Sequence, residues 1–400
     1  MAKNDTDKIN ELLIRGVANI YPSLGFVESK INKGERLTIY LGVDPTGPTL
    51  HLGHAIPLLK LSEFQKAGHK IILLMGDFTA MIGDPTDKGT ARVQLSHKQV
   101  MANLKNYKKQ ASSIISFSGK NAAQIKFNSK WLGKMNFADV LNLASNMTVQ
   151  QMMERDMFEK RSEEGKPVFI HEFMYPLMQG YDSVAMDVDG EIGGNDQTFN
   201  MLQGRNLMKT LKNKEKFVIT VKLLEDSNGK KMGKTEGNMV AMSDTPEEMY
   251  GKVMSWTDGM ILPGFELCTK IPTMEIQNFA TQMAEGVNPK ELKMKLAKEI
   301  VTVFYGDKKA ASAESHFVST FQKSEIPEDL KELKVGNGVL LVDVLLENKF
   351  VASKNEFRRL VDEKAITNLD TDKKVDSYTQ TAENAVYRIG KKRFCKIVIK

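Results

Sequence analysis

The sequence predicts an α/β fold built on a doubly wound parallel sheet. Two observations predict it: β-branched and apolar runs that read as buried strands, and helical patterns separated from them by glycine- and proline-marked breaks. Residues 37–43 are the first such run. Asp44-Pro45-Thr46-Gly47-Pro48 breaks it, Thr49 is placed to cap the next helix, and that helix runs to about Gly68. Residues 69–75 form the next strand, so 37–75 is one βαβ unit. A glycine-rich turn covers 76–85, and a long helix bearing Lys105, Lys108 and Lys109 is expected over 92–116. A short strand is expected at 124–127, methionine-rich helix over 131–165, and a later strand at 216–222. Strands that alternate with helices imply a parallel, Rossmann-like sheet, which binds ligands at the carboxyl ends of its strands.

Beyond residue 240 the pattern becomes helical, and Gly336-Asn337-Gly338 then opens a small α+β module. Three domains are expected: 1–240 with the sheet, 241–332 helical, and 336–400. A chain of 400 residues is too long for one small core.

With 41% hydrophobic and 26% charged residues, the chain falls among ordinary globular proteins. No stretch reaches the roughly 18 apolar residues that a membrane span needs, and the polar start does not read as a signal peptide. Cys268 and Cys395 lie far apart without metal-ligand spacing, which points to a reducing cytoplasm and away from zinc. The net charge of +6 is compatible with a nucleic-acid partner and equally with plain solubility.

Two short motifs carry the chemistry. His51-Leu52-Gly53-His54 opens the helix behind the first strand. Backbone N–H groups and the helix dipole favour anions there. The two imidazoles can donate to phosphate oxygens, and Gly53 leaves room for a purine. The plainer reading is a helix cap with two exposed histidines; no third ligand suggests a metal. Lys231-Met232-Gly233-Lys234-Thr235 lies in a glycine-studded loop. It is not a phosphate-binding P-loop, because Gly229 and Gly233 enclose three residues where that motif needs four. Read as a clamp, Lys231 and Lys234 meet the charge of a departing pyrophosphate; read plainly, they are a solvated basic loop. Together the motifs describe a site that activates a carboxylic acid with ATP.

Tyr175, Gln179 and Asp182 share one face of a helix opened by Pro176, so they line a pocket or an amphipathic surface. Asp84 sits in a Gly-Asp-Pro turn that exposes a carboxylate, and Asp196 either meets a ribose or caps a helix over 197–209. In the last module, Ser353 and Glu356 read as a capping box for a helix bearing Arg358 and Arg359. Lys391, Lys392 and Arg393 precede the final strand, a pattern suited to RNA backbone contact.

The two motifs resemble the HIGH and KMSKS signatures of class I aminoacyl-tRNA synthetases. The segments Tyr40-Leu41-Gly42-Val43-Asp44-Pro45-Thr46, Tyr175-Pro176-Leu177-Met178-Gln179-Gly180-Tyr181-Asp182 and Gly193-Gly194-Asn195-Asp196-Gln197 narrow this to the bacterial tyrosyl-tRNA synthetase family. So does Phe78-Thr79-Ala80-Met81-Ile82-Gly83-Asp84-Pro85. The last 60 or so residues resemble an S4-type RNA-binding module. Gly233 and Thr235 stand where the signature usually has serines, Thr198-Phe199 where Trp-Gly is common, and Leu41 where some members place a small polar residue near the ribose. The resemblance implies a tyrosine–tRNA ligase that binds L-tyrosine, ATP with Mg²⁺ and tRNA(Tyr), acts as a homodimer, and uses no zinc or organic cofactor. It implies that Tyr40 and Asp182 meet the phenol, and that Tyr175, Gln179 and Asp84 hold the α-ammonium group. It places Gln197 on the aminoacyl group and Thr46 with His51 near the γ-phosphate. Gly42, Asp44, Gly53, His54, Gly194, Asp196, Lys231, Lys234 and Thr235 complete the ATP site.

Overall fold

The computed structural model describes residues 9, 11–84, 95–225, 239–324, 330–371, 373–390 and 393–400. Its contacts divide the chain into two compact units, Met1–Glu314 and Ser315–Lys400.

The first unit holds a six-stranded sheet: β1 (Val17–Tyr21), β2 (Thr38–Val43), β3 (Lys70–Met75), β4 (Gln124–Phe127), β5 (Gly190–Gly194) and β6 (Phe217–Val221), in the order β1-β6-β5-β2-β3-β4. All neighbours are parallel except β1, which runs antiparallel to β6 at the edge. Lys70–Met75 and Phe217–Val221 are almost wholly buried, as expected of strands covered on both faces. Strand order reverses between β2 and β5, so a crevice opens at their carboxyl ends.

The parallel sheet and its βαβ unit agree with the sequence reading, and several details differ. The helix after β2 is Leu52–Lys66, and its N-cap is His51 rather than Thr49. Pro176 lies inside the helix Ile170–Met186 and does not open it. The helix expected over 92–116 is, among the described residues, two shorter ones, His97–Leu104 and Tyr107–Ala111. Residues 131–165 hold several short helices, because Asn136 and Thr148 each start a new one by capping with their own side chains. Strands β1 and β5 were not expected. The five residues Gly-Glu-Ile-Gly-Gly of β5 carry no periodicity, and β1 is a short edge strand.

Helices also fill residues 246–314 of this unit. Ile261–Cys268 packs against Leu52–Lys66, and the Arg15 guanidinium ties its end by donating to the carbonyls of Phe265, Glu266 and Thr269.

The second unit contains a five-stranded sheet in the order β7-β11-β10-β8-β9: β7 (Glu332–Val335), β8 (Ile366–Asn368), β9 (Lys373–Lys374), β10 (Ala385–Ile389) and β11 (Arg393–Ile399). Helices Leu341–Glu347 and Lys354–Asp362 accompany it, over a core that includes Phe357, Tyr387 and Ile397. Ser353 caps the second helix through the Glu356 N–H. Glu356 answers not to Ser353 but to the Ala352 N–H one residue earlier.

Candidate active site

A cavity of about 360 Å³ lies at the carboxyl edge of the sheet where β2 and β5 diverge. Each first-unit site residue expected from sequence that falls among the described residues lines it: Tyr40, Gly42, Asp44, Thr46, His51, Gly53, His54, Asp84, Tyr175, Gln179, Asp182, Gly194, Asp196 and Gln197. Lys231, Lys234 and Thr235 lie outside the described residues. The chain on either side of them nevertheless reaches the site. Leu223 and Leu224 line the cavity. The Leu52 N–H donates to the Val240 carbonyl at 3.0 Å and the Met242 N–H to the Leu50 carbonyl at 2.8 Å, which ties residues 240–242 to the backbone beside His51.

At one end the two motif histidines build a helix start. The His51 N–H donates to His54 Nδ1 at 3.3 Å, and the Gly53 N–H donates to His51 Nδ1 at 3.1 Å. The capping reading and the anion-binding reading therefore describe the same residues. Both Nδ1 atoms accept, so each neutral ring carries its proton on Nε2. The rings stand 4.0 Å apart, tilted by 60°. Burial pulls both imidazoles below their ordinary value, His54 to about 3 with His51 adding to the effect. The site thus presents two neutral imidazole N–H donors.

At the other end Asp182 is buried among neutral donors. Its Oδ1 accepts from Trp131 Nε1 at 2.7 Å and its Oδ2 from Asn128 Nδ2 at 3.2 Å. Burial pushes its pKa up, and these two hydrogen bonds oppose the rise. The Tyr40 ring packs with Ile72, Leu74, Met186 and Val188. Its hydroxyl lies 3.0 Å from Ser183 Oγ, and burial raises its pKa well above the usual phenol value.

Between the ends, the three residues expected on the ammonium group each have a different partner. Tyr175 donates to Asp44 Oδ2 at 2.9 Å, and Gln179 donates to Glu191 Oε1 at 3.2 Å. Asp84 accepts from Arg155 at 3.0 Å and from Gln197 at 2.8 Å. Asp44 also takes the Thr79 hydroxyl at 2.7 Å. This turn needs Gly76, since a Cβ there would stand 1.9 Å from Asp44 Oδ1.

A family model for class I tRNA synthetases of the tryptophan and tyrosine group matches residues 32–322. The chain belongs to this synthetase family. A tyrosine–tRNA ligase of Carboxydothermus hydrogenoformans is 43% identical over 403 residues, covering 97% of each chain. Tyrosine–tRNA ligase 2 of Vibrio cholerae is 41% identical, covering 96% of this chain and 97% of its own. Among solved structures, a C-terminally truncated mitochondrial tyrosyl-tRNA synthetase of Coccidioides posadasii superposes with a TM-score of 0.64 at 24% identity, covering 79% of this chain and 93% of that one. The Archaeoglobus fulgidus tyrosyl-tRNA synthetase complexed with L-tyrosine gives 0.61 at 20% identity, covering 77% of this chain and 99% of that one. At these identities the structural likeness speaks for the class I synthetase fold.

Sequence reasoning missed residues in and behind the cavity: Asn128 and Glu191 line it, and Trp131, Arg155, Ser183 and Lys216 hold the side chains that do or pair with them. Lys216 gave one weak signal, a lysine heading the wholly buried strand β6. In the second unit, Arg393 pairs with Glu356 at 3.0 Å and donates to the Phe350 carbonyl, so it serves the packing of its own module. The Arg358 guanidinium lies 6.0 Å from the Tyr378 ring centre, and Arg359 is exposed beside Glu363. Lys391 and Lys392 lie outside the described residues.

Proposed function

We propose that the chain is a tyrosine–tRNA ligase working through the cavity between β2 and β5. The observation that carries this reading is the pairing of a buried hydroxyl, Tyr40, with a buried carboxylate, Asp182, at the end of the cavity away from the histidines. A substrate phenol placed there accepts from one and donates to the other. Phenylalanine would leave both desolvated without a partner. An indole N–H could donate to Asp182 but offers no oxygen to Tyr40.

The reaction follows in two steps. The tyrosine carboxylate attacks the α-phosphate of ATP and pyrophosphate leaves, giving tyrosyl-adenylate. A ribose hydroxyl at the 3′ end of tRNA(Tyr) then attacks the acyl carbonyl and AMP leaves. The protein positions the reactants and stabilises charge. His51 and His54 donate through Nε2–H to the triphosphate, with Thr46 beside them. Lys231, Lys234 and Thr235 meet the leaving pyrophosphate. Asp196 and Gly194 hold the ribose side, Gly42, Asp44 and Gly53 complete the ATP site, and Gln197 contacts the aminoacyl group. Asp84, Tyr175 and Gln179 take the α-ammonium. Their present partners, Arg155 and Glu191 among them, hold these side chains in place until substrate enters.

Mg²⁺ would come bound to ATP through phosphate oxygens. Among the described residues no group of three or more His, Cys, Asp or Glu side chains is arranged to hold a metal, so no step is assigned to the protein's own metal ligands.

The second unit is read as an S4-like RNA-binding module presenting Arg358 and Arg359, and the helices after residue 240 as the anticodon-side part. A homodimer is supported by the exposed Phe137, Leu141, Val149 and Ile170, an apolar set on and beside the methionine-rich segment. Charging of bacterial tRNA tests the reading: loading with labelled tyrosine is expected, and loading with tryptophan instead would overturn it.

A further inference from the structure

Behind the amino-acid end of the cavity lies a buried charged network that neither motif announces. Lys216 is fully buried at the head of β6, outside the cavity lining. Its ammonium donates to Ser183 Oγ at 2.9 Å and pairs with Glu191, and it stands 5.7 Å from the Tyr40 ring centre. Ser183 Oγ in turn meets the Tyr40 hydroxyl, and Glu191 accepts from Gln179. The fold keeps space for this cluster. Gly204, on the helix Thr198–Lys212 that crosses Ile170–Met186, could not carry a Cβ without placing it 2.6 Å from Lys216 Nζ and 2.7 Å from Ser183 Oγ.

A buried lysine is costly to keep charged, and an apolar residue of similar volume would fill this site at no such cost. Its geometry suggests what the charge does. An ammonium only donates, so Ser183 Oγ must accept from Lys216. The hydroxyl, polarised by that positive charge, becomes the better donor toward Tyr40. Tyr40 then accepts from Ser183, and its own proton is left to the cavity and to Glu191, whose carboxylate also reaches the hydroxyl and is itself held by Lys216. A substrate phenol oxygen accepts a hydrogen bond from Tyr40 while its own O–H donates to Asp182.

We infer that Lys216, acting through Ser183, is a positioning residue for phenol recognition, fixing Tyr40 as a hydrogen-bond donor opposite the acceptor Asp182. The inference rests on the tyrosine–tRNA ligase reading and names residues beyond it. Neither Lys216 nor Ser183 lines the cavity, so neither touches substrate.

ATP–pyrophosphate exchange with tyrosine and with phenylalanine tests it on the full chain. Ser183→Ala cuts the link and leaves the Lys216–Glu191 pair intact. The double variant Glu191→Gln with Lys216→Met removes both charges together, so no lone buried ion remains. In each, the ratio of kcat/KM for tyrosine to that for phenylalanine is expected to fall about tenfold or more, the order of one lost buried hydrogen bond, with KM for ATP and the thermal midpoint little changed. An unchanged ratio in folded Ser183→Ala protein would overturn the inference. So would an equal loss for both amino acids in Ser183→Ala, which is what a merely structural role produces; the double variant also removes the carboxylate that holds Gln179 and is read by the ratio alone. Wild-type protein without tyrosine-dependent exchange would instead overturn the ligase reading itself.

Discussion

At the amino-acid end of the cavity, Tyr40 and Asp182 are 0% and 2% exposed and every polar atom named there already has a protein partner. At the phosphate end, His51 and His54 are only half-buried and Thr46 is exposed. Their Nδ1 atoms are taken by the backbone, while Nε2–H is left for ligand. The first end is a fixed mould, in which discrimination comes from what a wrong substrate would leave unpaired. The second is an open set of donors beside which both flanks of residues 226–238 arrive. Selectivity should therefore be lost by changes at the first end, and rate by changes at the second.

The largest effect expected is from Asp182→Ala. It leaves the Trp131 and Asn128 donors and the substrate hydroxyl without an acceptor. At about 1–3 kcal/mol for each unsatisfied group, kcat/KM for tyrosine should fall about 1000-fold or more, far more than that for phenylalanine; equal losses would break the contrast between the ends. His54→Ala should act the other way. Losing one preorganised donor to the triphosphate should lower kcat about 100-fold, with KM for tyrosine nearly constant. A selective rise in tyrosine KM would place His54 at the wrong end. Tyr175→Phe lies between: removing its bond to Asp44 should cost about 0.5–1.5 kcal/mol, seen as a rise of up to about tenfold in KM for tyrosine.

The smallest effect concerns pH. The folded pKa of His54 is about 3, below its unfolded value near 6.5. Between these values the unfolded chain binds more protons, so this group's share of stability is present above about pH 6.5 and is lost as pH falls toward 3. His54→Gln should flatten that part of the stability profile measured by thermal unfolding. An unchanged slope would mean that His54 is not held neutral.

The open end was the more legible of the two in the sequence. His51, Gly53 and His54 are contiguous, and their spacing sets a helix start as well as a donor pair. The parallel sheet was legible because β3 is apolar after Lys70 and β6 is apolar and mostly β-branched but for the Thr220 hydroxyl. The buried end was read only in part, because it is assembled from distant segments. Asn128 and Trp131 follow β4, Ser183 lies on a long helix, and Glu191 and Lys216 head two different strands. None of these has a local pattern, and β5, which carries Glu191, is too rich in glycine to show a strand period. The expectation that Pro176 opens its helix failed because the preference of proline for a first turn is only a prior. Here the helix begins six residues earlier, at Ile170, and tolerates proline in its interior.

The most direct test of the central claim is ATP–pyrophosphate exchange by the wild-type protein with tyrosine, phenylalanine and tryptophan supplied separately. Exchange driven by tyrosine, with at most traces from the other two, is the predicted result. Exchange driven equally well by phenylalanine or tryptophan would contradict a phenol-reading pocket built on Tyr40 and Asp182.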